Sequence, residues 1–394
     1  MQDTLRIGHH IVPGIWEHML PEEFRDFRFP AERFSSCSRC PMVVSDGYNS
    51  SYKCCTHIPR VPNFLMGQAL RKDDSAKRIR KSISDGFALP EGIVITPAQS
   101  IATLKQNEAG NFGKTAEVRC GFLDPATGGC GIYHFRNATC STFFCKNDFG
   151  PAGADFWEQV QATVGQVEYA LSWWCMQEMG FDPDAYLARF DSLAAMLRAG
   201  GITSWNWPEE VHRVLWDKWF EREEEFFLGC ADLVEKHQAE LFAIACRTPL
   251  RKPEEFEEAF RDMLPGQLQR ELDLDSPRGT PEPVDSVWYK LLLMHRNLWL
   301  LPDGEVLFRT AEGLATGPNP LSSALDKHNQ ALPWRISANG RHHYLTDAEY
   351  KFLTAFREPK TVTHEFLDSF AGVDGWSYFL ELRHRKFVTE VRTA

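Results

Sequence analysis

Eight of the eleven cysteines in this 394-residue chain fall within its first 145 residues. A quartet, Cys120-x9-Cys130-x9-Cys140-x4-Cys145, follows two pairs, Cys37-x2-Cys40 and Cys54-Cys55. No helix or strand needs cysteine at such intervals for packing, so the spacing points to chemistry. Thiolates are soft, strongly donating ligands that suit zinc and iron–sulfur clusters. Structural zinc is usually built from two C-x2-C knuckles, and only Cys37 and Cys40 have that spacing. Irregular spacing fits a cluster whose iron corners are reached from separate loops. The residues leave two cofactors open, an iron–sulfur cluster ([4Fe-4S]) and zinc, held at one site with spare thiols or at two. Four thiolates around either group leave a net charge of about -2. Arg136 and Arg39 stand in the same segments to offset it. His57 and His134 lie inside the cysteine blocks, as does Tyr133. The histidines suit hydrogen bonding to sulfur, proton carriage or ligation.

The segment Cys120-x9-Cys130-Gly-Ile-Tyr133-His-Phe-Arg136-Asn-Ala-Thr-Cys140-x4-Cys145 resembles the signature of the YkgJ-type cysteine-cluster family, described as zinc- or iron-chelating. That signature reads C-x-I-Y-x-x-R-P-x-x-C-R-x-[FY]-P-C. Tyr133, Arg136, Cys140, Phe143 and Cys145 fall in register, while Asn137, Ser141 and Phe144 replace its Pro, Arg and second Pro. The family's first block, C-x-x-C-x-x-C-C, is matched by Cys37, Cys40, Cys54 and Cys55, split by an insertion. The resemblance spans residues 37–145 and implies that all eight cysteines serve a metal site. The flagellin lysine methylase group is similar to this family with a longer helical extension. By that analogy the chain takes part in a redox or protein-modifying reaction. The alternative is a zinc-stabilised binding or scaffold protein without catalysis.

The rest of the chain must position these thiols. Hydrophobic residues make up 43% of it, which predicts a globular chain with ample core. A net charge of -11 argues against broad, sequence-independent nucleic-acid binding. The basic run RKDDSAKRIRK (residues 71–81) reads as a solvated helix face. No cationic leader precedes an apolar run at the N-terminus, and no apolar stretch reaches the ~20 residues that cross a bilayer. The expected location is the cytoplasm, where clustered cysteines are metal ligands rather than disulfides.

The expected fold class is α+β and mostly helical. Residues 1–150 form a cysteine-cluster domain, 151–272 a bundle of about four helices, 273–286 a linker, and 287–394 a C-terminal domain. Within the first, LPEEFRDF reads as a brief helix, and NFLMGQAL continues into the basic run as one amphipathic helix. GIVITP, SIATLKQ and TAEVRCGFL read as strands around an EAGNFGK turn, and DPATGG as a tight turn. The stripe Phe156, Val160, Val164, Val167, Leu171 and Trp174 marks the first bundle helix. Cys175, Cys230 and Cys246 are assigned to packing in the bundle. At the end of the chain, LTDAEYKFLTAF with Thr346 as N-cap, TVTHEFLDSF and GWSYFLELRHRKFVTEV read as three helices and a strand. That winged-helix-like pattern would recognise a protein or peptide partner.

Other signals are set aside. Glu108 spoils a phosphate-loop reading of Gly113-Lys114-Thr115, and no G-x-G-x-x-G or C-x3-C-x2-C occurs. His364-Glu365 lacks the second histidine of a zinc-protease helix. His342-His343 is expected to be exposed beside a turn. Trp205-Asn-Trp207 could line a ligand cleft.

Overall fold

The computed structural model describes residues 4–8, 10–30, 40–144, 150–264, 266, 282–298, 307–320, 331–338 and 341–391. Helices dominate these residues, and four small sheets of two or three strands accompany them. The chain divides into two compact units. The first comprises Met1–Asp26, Cys37–Phe143 and Gln159–Lys290, and the second Phe27–Ser36, Phe144–Glu158 and Leu291–Ala394. Most of residues 1–150 and 151–272, expected as separate domains, therefore share one unit. The expected linker lies largely outside the described residues, and its last three residues open the helix Val284–Leu298.

At the centre of the first unit, the helix Asn63–Leu70 is buried on every face. It packs against the helix Glu223–Lys236, and Gly67 permits the contact. A Cβ at Gly67 would stand 1.9 Å from the carbonyl oxygen of Phe227. The basic run does not continue this helix. Lys72 is extended, and Asp73 and Asp74 begin a new helix, Asp73–Ser84, where their charges favour an N-terminus. Several cations of the basic run are paired: Arg71 with Asp232 and Glu235, Arg80 with Glu224, Lys81 with Asp85.

SIATLKQ is helical, not a strand, within Pro97–Glu108. Thr96 and Gln99 close a capping box, and Pro97 occupies the first turn, where its missing N–H costs nothing. TAEVRCGFL forms turns, and Val118 packs with Ile58 and Ala102 rather than alternating across a sheet. The short apolar runs in this region lack the length to decide between helix and strand. Of the expected strands only Gly92–Ile93, within GIVITP, is present, and its partners are the two-residue strands Val61–Pro62 and Ala88–Leu89.

The expected bundle opens with the long helix Gly150–Glu178. Val160, Val164, Val167 and Leu171 are buried, and Trp173 rather than Trp174 completes the buried stripe. Beyond it the chain breaks into more than four pieces, including Pro183–Ser192, Glu209–Trp216, Glu223–Lys236, Leu241–Arg247 and Glu254–Met263. Positive φ angles at Asp217 (50°) and Glu221 (66°) enforce one break. Cys175 and Cys230 are buried, the Cys175 thiol donating to the Cys230 carbonyl at 3.8 Å. Cys246 is exposed, so packing does not account for it.

In the second unit, Leu307–Thr310 pairs antiparallel with Lys360–Thr361 and Val388–Val391. Ala315–Pro318, Trp334–Ala338 and Arg341–Leu345 form a second antiparallel sheet. The helices Asp347–Thr354, His364–Asp368 and Gly375–His384 complete it, the first with the expected Thr346 cap in a capping box with Glu349. Phe308, Ile336, Phe352, Leu367, Trp376 and Phe379 are among its buried core. His342 is exposed, but His343 is partly buried beside Phe387, with its Nδ1 2.9 Å from an Arg385 nitrogen.

Candidate functional site

The described cysteine loops, within residues 40–143, lie in the first unit and are tied by backbone hydrogen bonds rather than by long elements. The Cys120 N–H donates to the Cys55 carbonyl at 2.8 Å, joining the second pair to the quartet. Leu123 and Cys130 form an isolated antiparallel bridge that brings Cys130 back towards Cys120. The DPATGG turn between them is held by Asp124, whose carboxylate accepts from the Ala126 N–H and the Thr127 hydroxyl. Those bonds, with Arg78 at 3.3 Å, hold the Asp124 carboxyl below its usual range. Arg78 lies against Gly131, where a Cβ would come within 1.9 Å of Nε. A side chain at 131 would displace the arginine.

Asn137 sets the last turn. Its side-chain oxygen accepts from the Cys140 N–H at 3.0 Å and caps the short helix Ala138–Thr142, which carries Cys140. The Pro of the resembled signature could present no such side-chain oxygen, so the departure at 137 supplies a different cap. Arg136 fastens the same loop, donating to the carbonyls of Tyr133, Cys140 and Ile11 at 3.0, 3.1 and 3.2 Å. Its guanidinium also lies 3.9 Å from the Tyr133 ring centroid. Arg136 thus organises the loop and carries positive charge to the thiols.

Four of the predicted sulfurs are electrostatic neighbours. Cys130 and Cys140 push the Cys120 thiol up, while Cys130 and Cys54 do the same to Cys140. Burial is the larger cause in both, and each thiol is pushed to about 12. The Phe122 N–H, 3.4 Å from Cys120 Sγ, and the Arg136 charge beside Cys140 act in the opposite direction. Without a cation, enclosed neighbouring thiols stay protonated; a bound metal would release those protons. Among the described residues, no three His, Cys, Asp or Glu side chains converge into a metal-binding group. The thiols are neighbours rather than a closed cage.

The remaining predicted residues are placed as follows. Cys40 is buried at the start of the helix Pro41–Ser45, and Cys55 is half-buried beside Cys54. Cys37, Cys145 and Arg39 lie outside the described residues. His57 is half-buried, and desolvation lowers its pKa, favouring the neutral ring. Tyr133 and His134 are exposed in a 3-10 turn, their rings edge to face at 5.6 Å.

One residue that sequence reasoning missed sits directly behind the loop. Glu168 on the long helix is 5% exposed, and its Oε2 accepts from the Ala138 N–H at 3.0 Å. Oε1 has no hydrogen-bond partner. Burial pushes this carboxyl up to about 8, so it is mostly protonated at neutral pH, and its charge when ionised raises Cys140. The signal was present in the sequence: Glu168 falls four residues after Val164 and three before Leu171, inside an apolar stripe.

Glu168 and the residues 137–139 also line a cavity of about 900 Å³. Its other walls include Glu91, Tyr169, Trp173, Phe190 and Phe256. Trp207 lines it, as the tryptophan loop suggested, whereas Trp205 does not. Glu91 accepts from the Tyr186 hydroxyl at 2.5 Å, and its pKa is raised because desolvation outweighs that bond. A cavity of this size, with mostly apolar walls and a few buried polar groups, has the dimensions of a small-molecule site. No helix among the described residues is long and apolar enough to cross a membrane. Comparison of the chain with protein-family models, with curated proteins and with solved structures gave no match.

Proposed function

We propose that this chain binds an iron–sulfur cluster through its cysteine loops and takes part in a redox or protein-modifying reaction. The single observation that carries the reading is the gathering of thiols from separate loops, with Cys130 and Cys140 near Cys120, and Cys54 and Cys130 near Cys140. The donors fit such a group: they are soft, they come from different segments, and an arginine and a backbone N–H offset charge on sulfur. Cys37, Cys40, Cys55 and Cys145 complete the candidate ligand set. The resemblance of residues 120–145 to the YkgJ-type signature supports the same assignment. A bound cluster would supply one-electron transfer. Arg136 would hold the Cys140 loop, and Glu168 would keep a proton beside it. In the second unit, three helices followed by a returning strand support a winged-helix-like reading and a protein or peptide partner.

Anaerobically purified protein should contain iron and acid-labile sulfide and absorb broadly near ~400 nm. Colourless protein without iron sinks the proposal. The second reading, a zinc-stabilised scaffold, is favoured by the small apolar cluster among the loops, in which only Ile58, Ala102 and Val118 are buried. It predicts stoichiometric zinc, no sulfide and a metal-dependent melting transition.

A further inference from the structure

The cavity beside the cysteine loops has a chemical character of its own. Its aromatic walls are arranged as a connected set: Phe190 meets Phe256 edge to face at 4.6 Å and lies 6.0 Å from Trp207. Tyr169 and Trp173, 6.3 Å apart, come from the long helix. Faces and edges at these separations accept a further flat ring in the same offset or edge-on geometries.

Charge selects the rest of the ligand. Arg60, Lys252 and Arg261 line the cavity, the first two exposed and therefore at its rim. Neither Arg60 nor Lys252 forms an ion pair among the described residues. Three carboxyl groups, Glu91, Glu168 and Glu257, also line it. Burial drives Glu168 to the neutral form at neutral pH, so the three cations face at most two carboxylates, Glu91 and Glu257. At the inner wall, Glu168 Oε1 is a buried polar atom without a partner. Such an atom costs stability unless something in the cavity meets it.

We infer that the cavity binds a planar aromatic ligand bearing a carboxylate or similar anion, with its ring among Trp173, Trp207 and Phe190, its anion at Arg60 and Lys252, and Glu168 as a hydrogen-bonding group behind it. Residues 137–139 form part of this wall and lead directly into Cys140, so the ligand lies against the loop of the proposed centre. Its role as a reactant rests on the function proposed above; its binding does not.

The test is calorimetric titration of the full chain with 2-naphthoate and with the isosteric cation 2-naphthylmethylammonium, iron being assayed in each sample. Naphthoate should saturate one site, with the ammonium at least about tenfold weaker. Charge reversal at the exposed rim, Arg60→Glu or Lys252→Glu, should weaken naphthoate about tenfold, as expected for loss of a bond to a charged group. The inference is overturned if naphthoate does not saturate, if the ammonium binds as tightly, or if neither rim reversal weakens naphthoate. Naphthoate binding in iron-free protein would overturn the cluster and leave the ligand standing; iron without naphthoate binding would do the reverse.

Discussion

The cysteine loops and the C-terminal unit are stretches of comparable length held together in different ways. Residues 307–391 close an apolar core in which Phe352, Phe356, Leu367 and Phe379 are completely buried. Residues 40–60 and 109–143 also bury apolar side chains, among them Met42, Phe122, Ile132 and Phe135. Ile58 and Val118 join Ala102 in a small cluster, but short turns rather than paired strands and long helices carry these side chains. Cross-ties fix the turns between them: Cys120 to Cys55, Gly113 to Thr56, Arg136 to three carbonyls, Asn137 to Cys140. Hydrogen bonds contribute about 1 kcal/mol each, net of water, whereas a buried aromatic contributes several times that. A region built on ties can keep polar and ionisable groups beside one another, which a closed apolar core cannot. It depends correspondingly on anything that binds its thiols.

The largest expected effect separates the two regions by metal. Cys120→Ser with Cys140→Ser should abolish metal content and speed amide exchange across residues 109–143. Residues 307–391 should keep their protection; a common loss in both would break the comparison. Next, Trp376→Ala should cost about 3–5 kcal/mol in the second unit. It should lower that unit's unfolding midpoint in denaturant and leave metal content alone.

Gly67→Ala comes third, at about 1–3 kcal/mol, because its Cβ meets the backbone of Phe227 rather than a movable side chain. A neutral result in chemical denaturation would refute that packing contact. Glu168 offers a pH test of comparable size. Its folded carboxyl is raised from the ordinary 4.5 to about 8, so the folded state holds a proton that the unfolded chain releases. The associated stability is full below the unfolded value and falls as pH rises towards about 8. Glu168→Gln should flatten that decline, measured as unfolding free energy between the two pH values. Smallest is Arg80→Ala, which removes an exposed pair with Glu224 and should leave the unfolding midpoint in denaturant almost unchanged.

Where local chemistry is short-ranged, the sequence alone was sufficient. Thr346 as a cap, the DPATGG turn, the helix nature of the long apolar stripe and the burial of Cys175 and Cys230 all depend on residues a few positions apart or on side-chain type. The four sulfurs that influence one another were also named in advance, because thiol spacing without a packing reason is itself a signal. SIATLKQ failed that reading because Thr96 and Gln99 cap it as a helix, a bond that outweighs the strand-like look of an isolated apolar run. The basic run split from NFLMGQAL because burying one helix against Phe227 and solvating the other needs two axes.

The thiol spacing, the acidic composition and the caps belong to the sequence itself, since each follows from residue type and near neighbours. Only the tertiary structure decided that Glu168 stands behind the Cys140 loop, that Arg136 reaches Ile11, and that Trp207 rather than Trp205 faces the cavity. Those relations join segments up to 125 residues apart. They depend on how helices are brought together by burial, which acts on area and carries no address in the local sequence.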